Sequence, residues 1–254
     1  MEKRHKANLE WVKKIASAFA EGLFSVQLQP LAWSISSKTF KYEVLIRMYD
    51  KEQALLISPA KFLGVLQNSG HEKDLTKLII DQSFKSYEKC KVDLSINITR
   101  DDLDNDMVDY LIAQAKKYKI PPASIVIELV ESEELLKDNY ISIIYEIRHA
   151  GFKIAIDDFG TGYSNFSYLT QIKPDYIKID GSLIERVGKN LTERQVVEGI
   201  YNFAHNLGIE VIAEYVSDDE IYTIIKDIGI EYVQGFFIGN VMSCEEVIKL
   251  RESL

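Results

Sequence analysis

Eight short apolar segments, most of them separated by helix-period stretches, constrain this sequence more than any other feature. They span residues 24–29, 40–48, 92–98, 125–130, 152–157, 176–179, 210–214 and 232–236. Each has strand length and is bounded by turn-forming or polar residues. Helical patterns occupy about 72–88, 101–119, 133–150, 182–207 and 218–228. Another opens at Ser58-Pro59, an N-cap followed by proline at the first helical position, and runs toward Asn68-Ser69-Gly70. Gly151 and Gly208 stand where helix C-caps are expected. Strands alternating with helices predict a (β/α)8 barrel, and 254 residues match the ~250 typical of that fold. One link breaks the pattern. Only about ten residues, 30–39, join the first two strands, too few for the helical crossover that parallel neighbours need. The expectation is therefore an α/β protein, a modified TIM-like barrel whose first two strands form a hairpin, with one strand antiparallel. It is one domain over 1–254, with a leading helix at 1–23, a barrel core at 24–239 and a C-terminal helix at 240–254.

Composition removes several classes of function. Hydrophobic residues at 46% are enough for a sizeable core. No run of 18 apolar residues suggests a membrane span, and the N-terminus lacks a secretory layout, so a cytoplasmic location without membrane contact is expected. A net charge of −9 disfavours a groove for polymeric nucleic acid, which needs lysines and arginines against the phosphates. Cys90 and Cys244 give no metal-ligand spacing and read as two reduced thiols. The four scattered histidines form no zinc pattern.

In a barrel of this kind chemistry sits at the C-terminal strand ends. Glu43, Asn97, Glu128, Asp157, Asp158, Lys178, Asp180, Glu214 and Gln234 fall there, with every strand from the second to the eighth contributing. Buried carboxylates without partners cost several kcal/mol each, on the order of a domain's whole margin when summed. Any single one reads more readily as a helix cap or a partner for a surface lysine. The set, converging from successive strands, calls for a cation, and Glu, Asp and Asn oxygens suit magnesium or manganese. In 153–164 (KIAIDDFGTGYS), Gly160 and Gly162 imitate a dinucleotide-binding loop, but Asn165 replaces the third glycine. The adjacent Asp157 and Asp158 would repel a bare pyrophosphate. Metal binding is the better reading.

These residues resemble, in order, the motifs of the EAL-domain family. Glu43-Val44-Leu45-Ile46-Arg47 is similar to its signature, with Val44 in place of alanine, and Gln29-Pro30 to its first strand. Ser95-Ile96-Asn97-Ile98, Glu128-Leu129-Val130-Glu131-Ser132, 157–164, Ile177-Lys178-Ile179-Asp180, Ala213-Glu214 and Gln234-Gly235-Phe236 come after them in register. The resemblance covers about 24–239. It implies a metal-dependent phosphodiesterase that opens cyclic di-GMP to linear pGpG by two-metal, in-line water attack, with two Mg2+ or Mn2+ ions per site. By motif position, Glu43, Asn97, Glu128 and Asp157 ligate one metal, and Asp158, helped by Asp180, serves the other. Lys178, Glu214 and Gln234 are the catalytic residues. Gln29, Leu45 and Arg47 touch substrate. Glu131 braces loop six, made of Phe159, Gly160, Thr161, Gly162, Tyr163 and Ser164. The resemblance also implies a homodimer and, if the chain is a fragment, upstream sensor or cyclase domains.

Two departures stand out. The family's usual Glu-Gly-Val-Glu reads Glu214-Tyr215-Val216-Ser217, and Tyr215 fits there only if the backbone avoids positive φ. The usual Gly-Arg-Pro reads Gly239-Asn240-Val241, which removes an arginine contact. Neither touches a proposed metal ligand. The alternative function is a catalytically silent cyclic di-GMP receptor, but such proteins lose metal ligands that this chain keeps.

Overall fold

The computed structural model describes residues 2–66, 70–132, 135, 137–161 and 167–253. After helix α1 (Glu2–Glu21), strands β1 (Phe24–Trp33) and β2 (Thr39–Asp50) form a long antiparallel hairpin, and β3 (Leu55–Ile57) adds a short antiparallel edge to β2. Helix α2 (Leu63–Leu66) and helix α3 (Glu72–Cys90) lead to β4 (Leu94–Asn97). Then come α4 (Asn105–Tyr118), β5 (Ile125–Val130), α5 (Asp138–His149), β6 (Lys153–Phe159), α6 (Ser167–Ile172) and β7 (Tyr176–Ile179). Helices α7 (Gly181–Ile184) and α8 (Leu191–Asn206), strand β8 (Glu210–Ala213), α9 (Asp219–Ile228), β9 (Tyr232–Gln234) and α10 (Cys244–Glu252) complete the chain. Strands β2 and β4 to β9 run parallel, and β1 closes the barrel by pairing antiparallel with both β2 and β9. The expected eight-stranded barrel with one reversed strand is therefore what the chain forms.

Alternation along the strands separates two interiors. Ile125, Ile127, Leu129, Ile154, Ile156, Ile177, Ile179, Val211, Ala213 and Val233 face outward into the apolar layer beneath the helices. Leu31, Val126, Ala155, Tyr176, Ile212 and Tyr232 form a separate cluster inside the barrel. Two residues onward from each of the last five lie Glu128, Asp157, Lys178, Glu214 and Gln234. The same two-residue period that buries the aliphatic plug thus delivers polar side chains to one end of it.

Several local expectations needed correction. The helix foreseen over 182–207 is two: α7, capped by Asp180, and α8, capped by Asn190, whose side chain accepts from the Glu193 N–H. The stretch after Ser58-Pro59 forms a 3-10 turn at Pro59–Lys61 and the single-turn α2 rather than one continuous helix. Strand β3 was unforeseen, because three residues carry no measurable period. Gly151 and Gly208 do sit just past helix ends, at φ +95° and +71°. Cys90 and Cys244, read as reduced thiols, are joined in a disulfide: the end of α3 meets the start of α10, and their Cα atoms lie 6.3 Å apart across a separation of 154 residues. Among the described residues no helix is long and apolar enough to cross a membrane.

Candidate active site

The polar end of the barrel is organised around Lys178. Its ammonium group is fully buried and lies 2.8 Å from Glu214, 2.9 Å from Glu128, 3.2 Å from Asp157 and 3.5 Å from Glu43. Gln234 donates to Glu43 at 2.6 Å and to Gln29 at 3.2 Å. Asn97 donates its amide to the other Glu43 oxygen at 2.8 Å. Glu43 stands mid-strand in β2, not at its end, because β2 continues past the barrel mouth to meet β3. Its pairing with Ser95 of β4 and Gln29 of β1 still places it level with the other strand ends.

One lysine does not balance this group. Carboxylate oxygens of Glu43, Glu128 and Asp157 lie within 4.8 Å of one another, as do those of Asp157, Asp158 and Glu214, so Asp157 belongs to both sets. Burial, reinforced by neighbouring carboxylates and only partly offset by Lys178, pushes Glu128 and Glu214 up to about 8. Burial and the charges of Asp157 and Asp180 also raise Asp158. Burial acts on Glu43 in the same direction, but Lys178 and the donors Gln234 and Asn97 outweigh it and hold Glu43 below the usual range. Lys178 is held well above its ordinary value: burial opposes its charge, and the ring of four carboxylates overcomes that.

The donor set suits a divalent metal. Glu128 Oε1 and Gln234 Oε1 are buried without a hydrogen-bond partner. A buried carboxylate oxygen left without a donor is rare in native proteins and marks a place for a cation or water. Oxygen donors alone, with no thiolate or imidazole, favour hard ions.

A backbone irregularity aims Asp157 and Asp158 at the same place. Consecutive strand residues normally face opposite ways. Here the β6–β7 register shifts between Ile156 and Phe159, and Asp158 takes φ +56°. This bulge turns the second carboxylate toward the mouth while Phe159 returns to the core. Glu131 secures the chain just beyond the bulge: its carboxylate accepts from the Gly160 N–H and from the Tyr168 hydroxyl, both at 3.0 Å. Thr161 closes the turn by donating its hydroxyl to the Asp158 carbonyl. Gly162, Tyr163 and Ser164 lie outside the described residues.

The remaining expected residues are spread along the rim. Leu45 and Arg47 succeed Glu43 on the same face of β2, paired with Gln27 and Ser25. Arg47 is half-buried and donates to the Ile46 carbonyl. Asp180 belongs to neither carboxylate set among the described residues, and one of its oxygens accepts from the Ser182 N–H. It does line the cavity of about 520 Å³ that opens over the cluster, together with Gln29, Glu43, Glu214, Tyr215 and Phe236. Tyr168, which donates to Glu131, carries no signal in the sequence, since a lone aromatic at a helix start is not distinguished from core; Tyr215 and Phe236, met in the sequence as a departure and as part of a motif, are found lining this cavity. Tyr215 also overturns an expectation. Its φ is +58°, so the backbone does take the conformation that favours glycine.

Fold and site together define a TIM-like barrel with an acidic mouth suited to divalent cations. The chain belongs to the EAL domain family, which matches residues 12–240. It is 29% identical over 241 residues to the cyclic di-GMP phosphodiesterase PdeB of Shewanella oneidensis, covering 91% of this chain and 28% of that protein. It is 28% identical to the cyclic di-GMP phosphodiesterase PdeF of Escherichia coli, covering 100% of this chain and 35% of that protein. The chain thus spans about a third of the length of these curated relatives. The EAL enzyme Bd1971, in a form bound to cAMP and cyclic di-GMP, superposes with a TM-score of 0.92 at 26% identity, covering 97% of this chain and 69% of that one.

Proposed function

We propose that this protein is a metal-dependent phosphodiesterase that hydrolyses cyclic di-GMP to linear pGpG. The observation that carries this reading is the cluster itself: two carboxylate sets sharing Asp157, arranged around a fully buried lysine beneath an open cavity. Glu43, Asn97, Glu128 and Asp157 would hold one Mg2+ or Mn2+ ion; Asp158, assisted by Asp180, would hold the second. When bound, such a pair supplies Lewis acidity toward water and offsets charge developing on phosphoryl oxygens. Water adds at one phosphorus of the cyclic ligand, the bond from that phosphorus to a ribose 3′ oxygen breaks, and the 3′ oxygen leaves as a hydroxyl. Glu214 would accept the water's proton or hold the water in position. Lys178, fixed by its four carboxylate partners, steadies negative charge near the reacting phosphate without moving to do so. Gln234 orients Glu43 and reaches Gln29, which with Leu45 and Arg47 forms the wall facing the ligand. Glu131 keeps the Asp157–Asp158 bulge in place. The working assembly on this reading is a homodimer, as the resemblance implies.

The test is incubation of purified protein with cyclic di-GMP and Mg2+ or Mn2+, with chromatographic separation of products. Metal-dependent pGpG, lost with EDTA and in Asp157→Ala, is the expected result. Tight binding without product under either metal would overturn catalysis and leave a receptor.

A further inference from the structure

Tyr215 stands next to Glu214 with its backbone in the left-handed region, at φ +58°. Of the seven non-glycine residues with positive φ among those described, it is the one aromatic. Lys91 and Lys119 in that group end helices, where such a conformation is routine. Tyr215 ends nothing. Its neighbours are tied on both sides: the Val216 N–H donates to the Gln234 carbonyl at 2.9 Å and the Glu214 N–H to the Ile179 carbonyl at 3.2 Å. Strain of this kind persists where the surroundings enforce it and where the side chain has a use.

The ring is also held in position. A Cβ on Gly181 would lie 2.7 Å from Tyr215 Cβ and 3.1 Å from its Cγ, so the absence of a side chain at 181 makes room for the tyrosine. The side chain nonetheless remains 53% exposed and lines the cavity above the cluster, as does Phe236, which is 65% exposed. A large aromatic face, strained, seated and open to the cavity, fits a flat π-surface better than it fits core.

We propose that Tyr215 stacks on a guanine base of the dinucleotide and is a substrate-binding residue of this site. The inference rests on the cyclic di-GMP reading above. It assigns binding to the base end of the ligand, away from the reacting phosphate, so its loss changes KM and leaves kcat nearly constant. Aromatic stacking on a base is sequence-tolerant and relies on the π-face rather than the hydroxyl.

Steady-state kinetics on cyclic di-GMP with Mn2+, for the wild type and the variants Tyr215→Gly, Tyr215→Leu and Tyr215→Phe, test it. Tyr215→Gly and Tyr215→Leu are expected to raise KM about tenfold with kcat within about twofold, and Tyr215→Phe to keep the wild-type KM. Tyr215→Gly is expected to melt no lower than wild type, since glycine relieves the left-handed backbone; this separates lost binding from lost folding. An unchanged KM in Tyr215→Gly, or a wild-type KM in Tyr215→Leu, would overturn the stacking role while leaving the phosphodiesterase intact. A wild type that neither binds nor opens the dinucleotide overturns the functional reading itself, and the base contact with it.

Discussion

Two buried lysines occupy opposite ends of one barrel and meet opposite electrostatic fates. Lys178, on β7, is surrounded by Glu43, Glu128, Asp157 and Glu214 and is held firmly charged. Lys41, on β2, has no hydrogen-bond partner and lies 4.0 Å above the Tyr176 ring and 5.1 Å from the Phe40 ring. Burial lowers it to about 8, with Glu128, Asp93 and Glu210 opposing that shift and Lys153 assisting it. The same side chain in the same interior is thus an anchor at one end and an electrostatic burden at the other. The difference lies in the partner set: carboxylates offset desolvation, whereas aromatic faces offset only part of it.

The sharpest way to break this contrast is at its charged end. Lys178→Met should reduce pGpG formation by about 10²-fold or more, because four carboxylates lose their fixed counter-charge beside the reacting phosphate; near-normal turnover would remove Lys178 from the mechanism. At the other end, Lys41→Met should leave turnover within about twofold and stabilise the fold at neutral pH. The gain is bounded by the shift from 10.5 to about 8, or roughly 3 kcal/mol. The sign comes from linkage: between pH 8 and 10.5 the unfolded lysine binds a proton that the folded one has released, so wild-type stability rises with pH there. The advantage of Lys41→Met, read by urea denaturation, should accordingly be full below pH 8 and vanish by about 10.5.

Adding the stronger cation should sharpen the contrast further. Mn2+ titrated into metal-free protein should raise stability by ~2.7 kcal/mol at a hundredfold excess over its dissociation constant. Asp157→Asn, which removes the carboxylate common to both sets, should lose most of that increment, while Lys41→Met should keep it; thermal melts with and without metal distinguish them. The smallest effect is expected from Glu131→Ala. Two hydrogen bonds, from Gly160 and Tyr168, are lost, at a cost of about 1–2 kcal/mol in a urea melt. A drop in kcat/KM larger than the stability loss would show that the Asp157–Asp158 bulge needs this brace.

Much of the site was legible because strand periodicity is written locally. Glu128, Asp157, Lys178, Glu214 and Gln234 each stand two residues beyond an inward-facing residue, and that spacing sets their direction before any tertiary contact forms. The short link between the first two strands forced the reversed β1 for a similar reason, since chain length limits topology. Asp158 was harder. Its neighbour faces the mouth, so an ideal strand would turn it away, and only the bulge at φ +56° brings it back. The disulfide was missed because Cys90 and Cys244 meet through helices 154 residues apart, with no spacing signal to connect them.

Alternation, strand count and the run of acidic residues at strand ends were enough to specify the barrel and which face of each strand presents the polar cluster. These are nearest-neighbour properties, and a chain cannot avoid them. The tertiary structure alone decided which charges are balanced and which are not: the sequence marks Lys178 at a strand end, but only the closing of the barrel gives it four carboxylates and leaves Lys41 with two rings. It also decided that Tyr215 must take a left-handed backbone, because the Val216–Gln234 hydrogen bond and the space over Gly181 come from segments that meet only when the barrel is complete. Electrostatic energy and backbone strain depend on distances in space, and those are set by packing.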